Sequence, residues 1–112
     1  MSDEARDRLI IAEISGVTSR HMPLSGQYPR GEAAAVAEVR AVARGRADLL
    51  ARFAGTYLGL SLTQPVDQLA AQQVAQASLA ARAGADMDAV TRWISVGVTR
   101  GEAARTSWRQ GR

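Results

Sequence analysis

The 112-residue chain has no cysteine, which excludes a disulfide framework, a thiolate nucleophile and a cysteine zinc site. His21 is the only histidine, so a His-based metal site or catalytic triad has one candidate and no cysteine to assist it. Lysine and asparagine are absent too, and all 14 basic residues are arginine. That is the residue usage of a GC-rich genome and not a chemical signal. Aromatic residues make up 4% of the chain against 46% hydrophobic residues in all, much of that alanine. Alanine lets helices approach closely but removes little surface from water, at roughly 25 cal/mol per Å². The expected core is therefore thin, and such a chain gains stability by packing on a copy of itself. Homo-oligomerisation is the expectation.

Long apolar runs are missing as well. Leu9-Ile10-Ile11-Ala12 is far too short to cross a bilayer, and the acidic start Ser2-Asp3-Glu4 lacks the pattern of a secretory leader. The expected location is cytoplasmic, without a membrane partner. No stretch alternates with the period of a strand, so no phosphate-binding glycine loop has a strand to follow. The carboxylates are spread along the chain. Only Asp86 and Asp88 lie close together, and that pair suits a helix cap better than a shared proton. No catalytic residue, metal or cofactor is expected; the chain reads as a non-enzymatic protein.

What is present is helical periodicity. Ser2 is a good N-cap, Asp3 and Glu4 complement the helix dipole, and Leu9, Ile10, Ile14 and Val17 share a face up to Gly16, where the helix should end. From Glu32 onward Val36, Val39, Ala43, Leu50, Phe53, Tyr57 and Leu60 recur at helical spacing, with Arg40, Arg44, Asp48 and Arg52 opposite. Gly45, roughly 1 kcal/mol worse than alanine inside a helix, leaves open one kinked helix or two helices meeting there. Gly55 and Gly59, one turn apart, permit a close backbone approach. A further helix follows Thr63 with Pro65 in its first turn. Its stripe is Val66, Leu69, Ala70, Val74, Ala77, Ala80 and Ala81, with Gln72, Gln73 and Gln76 outside and Gly84 as C-cap. Asp86 then caps a short helix carrying Ala89, Val90, Trp93 and Ile94 that Gly97 closes, and Glu102 to Trp108 form a last turn or two.

The expected fold is all-α: a single-domain bundle of four to six helices. Its centre should hold Leu9, Ile10, Ile14, Val39, Leu50, Phe53, Leu69, Val74, Val90 and Trp93.

Two regions are candidates for function. The irregular stretch of about residues 16–31, VTSRHMPLSGQYPRG after Gly16, carries two prolines and two glycines, and loops of that length in a compact domain are often functional. Arg20, His21 and Arg30 could converge there on an anion beside the amides that open a helix at Gly31, while Met22 and Tyr28 offer apolar contact. These five form a candidate partner-binding loop. Near the other end, residues 89–112 hold five arginines (Arg92, Arg100, Arg105, Arg109, Arg112) against the single acid Glu102. A basic tail at about 99–112 favours an acidic partner, protein or nucleic acid.

The segment SLAARAGADMDAVTRWI, Ser78 to Ile94, resembles the helix-turn-helix of small bacterial repressors. In that resemblance Ala80 is the small residue where two helices cross, Gly84 the tight turn, and Val90 and Trp93 the inner side of the recognition helix. It implies that Asp86, Met87, Asp88, Thr91, Arg92 and Ser95 face the major groove, with Arg100, Arg105 and Arg109 adding attraction to phosphates. The stretches AEISGVTSRHMPLSGQYPRGEAAAVAEVRAV, GRADLLA and AGADMDAVTRWISVG also resemble short uncharacterised helical proteins of high-GC Gram-positive bacteria, a group associated with phage-like or integrating elements. That second resemblance implies no activity and no site residues, only that the loop is a recurring part of the design. The functional expectation is a self-associating interaction or adaptor protein with an unidentified protein partner; the alternative is a helix-turn-helix DNA-binding regulator.

Overall fold

The computed structural model describes residues 2–21, 31–64 and 67–110, the last four of these by backbone only. Five helices result: α1 (Asp3–His21), α2 (Glu32–Ala43), α3 (Ala47–Ser61), α4 (Asp67–Arg82) and α5 (Met87–Gln110), with no strand among the described residues. The all-α expectation holds. No described helix is long and apolar enough to cross a membrane.

α1 starts as its sequence dictates, with the Ala5 amide donating to Ser2 Oγ at 3.1 Å and Asp3 and Glu4 at the positive end of the dipole. It does not end at Gly16. Val17, Thr18 and His21 beyond that glycine are all buried, and their burial outweighs a propensity cost of roughly 1 kcal/mol. The inward line is Ile10, Ile14, Val17 and His21, and Leu9, about 100° back round the helix, is 52% exposed instead of central.

The break at Gly45 makes two helices. Arg44 (φ 55°) and Gly45 (φ 76°) both adopt left-handed backbone, and the Arg44 amide donates to the carbonyls of Arg40 and Ala41. α3 then becomes the central element. It buries Leu49, Leu50, Ala51, Phe53, Ala54, Gly55, Thr56 and Gly59, and α1, α4 and α5 all pack on it.

The closest contact is α3 on α5. A Cβ built on Gly55 would lie 2.5 Å from Trp93 Cβ and from the Val90 carbonyl, and one on Gly59 would meet the backbone of Ile94, Gly97 and Val98. Gly97 faces the Thr56 carbonyl, and Gly101 faces Thr63. Gly97 is therefore the crossing point of a single continuous helix, not the end of a short one. Closeness here needs residues without a side chain, and that need overrides glycine's poor helix propensity.

α4 is rotated from the expected stripe. Gln76, Ala77, Leu79 and Ala80 are buried, while Leu69 (41%) and Val74 (40%) are exposed, and Gln73 is half-buried. In an alanine-rich helix several faces have similar apolar content, so periodicity alone does not fix the rotation. Gly84 (φ 108°) ends the helix region as expected, and Asp86 Oδ1 accepts from the amides of Asp88 (3.1 Å) and Ala89 (3.2 Å) to start α5. Of the expected centre, Ile10, Ile14, Val39, Leu50, Phe53 and Val90 are buried and Trp93 is half-buried against them. Pro65 and Val66 lie outside the described residues.

Arg46, just before α3, fastens that helix to α1. Its guanidinium donates to both oxygens of Asp48 (3.0 and 2.9 Å) and to both of Asp7 (3.1 and 3.3 Å). The Arg46 hydrogen bonds hold the Asp48 carboxyl below its ordinary value, so Asp48 adds stability above the usual carboxylate range. That contribution is lost as pH falls through the lowered folded value. Arg46→Ala should therefore lower the melting temperature at neutral pH, and its gap to the wild type should close as pH drops from about 5 to about 2. Circular dichroism melts across that range test it; a gap that widens on acidification contradicts it.

Candidate functional site

α1 places Arg8, Ile11, Ala12 and Ser15 on one stripe, at i, i+3, i+4 and i+7. α3 places Arg52, Phe53, Thr56, Tyr57 and Leu60 opposite, and α5 adds Arg100. Together they line a groove of about 310 Å³, open on one side. Its floor is apolar. Phe53 is buried there, and the half-buried Tyr57 ring stacks at 4.4 Å between centroids with a 43° tilt. Its rim is cationic.

The arginines on the rim are positioned. The Arg52 Cζ atom lies 4.9 Å from the centroid of the Trp93 ring, a cation–π contact that holds the guanidinium over α5. On its other side, Arg52 Nη2 is 3.5 Å from Glu4 Oε1, and the same oxygen accepts from Arg8 Nε at 3.2 Å. One carboxylate oxygen thus bridges two rim arginines. Arg52 keeps 29% of its side chain in solvent, so a ligand can reach it. Arg100 is exposed and makes no hydrogen bond or ion pair among the described residues.

The candidate loop residues go elsewhere. Arg20 Nη2 donates to Glu38 Oε1 at 2.6 Å, and His21 Nε2 lies 2.5 Å from Glu38 Oε2. The two converge on an anion, but it is a carboxylate of α2, and the cluster pins the end of α1 to that helix. His21 is buried, and its Nδ1 has no hydrogen-bond partner among the described residues. Met22, Tyr28 and Arg30 lie outside the described residues.

The candidate nucleic-acid residues Met87, Thr91, Arg92 and Ser95 are all exposed along α5, as are Arg100 and Arg105; the Arg109 side chain is not among those described. At about 100° per residue, Arg92, Arg100 and Arg105 point to three different sides of the helix and form no single basic face. α4 and α5 each lie along α3, and α5 runs 24 residues, so the basic end of the chain is helical as far as Gln110.

Helical periodicity puts Arg52 on the solvated side of α3 and does not single out Arg8. The one available signal was the mixed stripe on α1, where an arginine shares a line with Ile11 and Ala12. Among the described residues no three His, Asp or Glu side chains gather to hold a metal. Compared with protein-family models, curated proteins and solved structures, the chain matches none.

Proposed function

We propose that this chain is a non-enzymatic interaction protein that holds part of an acidic macromolecular partner in the groove between α1 and α3. The observation that carries this reading is the arrangement of Arg8, Arg52 and Arg100 around an apolar floor of Ile11, Phe53 and Leu60. Such a site offers buried apolar contact at its centre and charge at its edge, the anatomy of a protein-binding surface. The lining has hydroxyls on Ser15, Thr56 and Tyr57 but neither a histidine nor a carboxylate to activate them. Binding is the chemistry this favours.

Self-association belongs to the same reading. Exposed Leu62 and Leu69, on either side of the α3–α4 connection, and the alanine-rich core both favour packing on a second copy. Light scattering at micromolar concentration should show a dimer; a clean monomer removes that part.

The test of the main proposal is recovery of partners from a lysate of the native host, with wild type compared against Arg52→Gln/Arg100→Gln. A protein retained by the wild type should be lost from the double variant; equal recovery contradicts the groove. DNA binding through α5 is the second reading, favoured by the exposure of Met87, Thr91, Arg92 and Ser95 along one arc. A mobility shift abolished by Arg92→Ala at unchanged helicity would put it first. We expect no specific shift, because Asp86 and Asp88 lie exposed at the start of that helix and repel phosphate.

A further inference from the structure

Glu4 shows what the groove's arginines accept. Its carboxylate sits on the exposed first turn of α1, and a single oxygen is shared between Arg8 and Arg52. An exposed ion pair of this kind is weak and exchangeable. A carboxylate from outside, delivered with apolar side chains that fill the floor, brings contacts Glu4 does not make.

The glycine register fixes where a second anion belongs. Gly59 meets Gly97 and Gly101 meets Thr63, so α3 and α5 run parallel in a register that sets Arg100 level with Leu62, nearly three helical turns beyond Arg52 and roughly 15 Å along α3. Two carboxylates about eleven residues apart on one helix face match that separation, with apolar side chains at every third or fourth position between them. An extended peptide has no strand edge to add to among the described residues. A phosphate backbone would leave Ile11, Phe53 and Leu60 against a polar chain.

We infer that the groove's occupant is an acidic amphipathic helix of a partner protein, one of whose carboxylates displaces Glu4 from Arg8 and Arg52 while another reaches Arg100. This rests on the groove being the binding site. It makes Glu4 an internal competitor for the arginines, a placeholder that sets the threshold a partner must exceed.

The experiment is selection of random peptides of about 16 residues on the intact protein, long enough for a helix of four turns. The affinities of the winners are then read by fluorescence anisotropy. Winners should carry two acids about eleven positions apart around apolar residues and become helical when bound. Arg52→Gln/Arg100→Gln should weaken them about tenfold or more, while Glu4→Gln should tighten them severalfold. Unchanged helicity and melting temperature of the variants establish that folding is not the cause. Winners that need the arginines but carry no acids, or that bind Glu4→Gln no better than wild type, overturn the inference and leave the groove as the site. Winners indifferent to both arginines overturn the inference and the groove together. Displacement of the winners by a short DNA duplex at about 0.15 M salt would assign the groove to nucleic acid and overturn the helix.

Discussion

Gly97→Ala should cost the protein about 2–4 kcal/mol of stability, although alanine is the better helix former. The added Cβ would fall on the Thr56 carbonyl and the Gly59 Cα, both backbone atoms of α3. Neither can swing aside as the end of a flexible side chain would. The helices must separate along the whole crossing, and separation loosens the fit of Gly55 on Trp93 and of Gly101 on Thr63 as well. Overpacking of this sort costs about 1–3 kcal/mol at sites that can relax, and backbone against backbone relaxes little. Gly16→Ala is the internal control. A Cβ there meets nothing within 4 Å, so the substitution should stabilise by up to about 1 kcal/mol. Urea titrations of both variants test the pair. A Gly97→Ala protein as stable as wild type would mean that α3 and α5 do not cross at these glycines.

Phe53→Ala is expected to cost about 3–5 kcal/mol, the largest single loss of any core truncation in this chain. Eight of the seventeen buried apolar residues described are alanines, which leaves few side chains large enough to fill space. Phe53 leads the fully buried ones in volume and sits on α3, where helices pack from several sides. Its removal leaves a cavity under Tyr57, whose ring rests against it, and takes away the floor of the groove. A small domain has about 5–15 kcal/mol in all, so the variant should sit near the edge of folding. Phe53→Leu should lose far less, because most of the volume remains. Thermal melts of the two, with peptide binding measured on whatever remains folded, distinguish loss of fold from loss of floor. A Phe53→Ala protein that melts within a degree or two of wild type contradicts the core described above.

The helices were readable wherever a side chain of distinctive size or shape marks a face. Ser2, Gly45, Gly84 and Asp86 each act where their backbone and capping chemistry says they should. The paired glycines Gly55 and Gly59 announced a close approach, but their partners Gly97 and Gly101 could equally be read as helix ends, since glycine serves both purposes. Alanine hid the rest. Nothing in α4 distinguishes the face holding Val74 from the one holding Leu79 until α3 is packed against it. The groove was harder still, because Arg8, Arg52 and Arg100 come from three helices separated by up to 92 positions, and only tertiary packing brings them to one rim. Arg20 and His21 were recognised as an anion-seeking pair, yet the anion they meet is Glu38 of the same chain.

The central claim is that the partner sits between α1 and α3, and an amide NMR titration with the tightest selected peptide tests it directly. Shifts should concentrate at residues 4–15, at 52–60 and around Arg100, with the Trp93 indole responding as Arg52 moves on its ring. Shifts confined to Met87–Ser95, or to the Arg20, His21 and Glu38 cluster, with the α1 and α3 stripes silent, would contradict it.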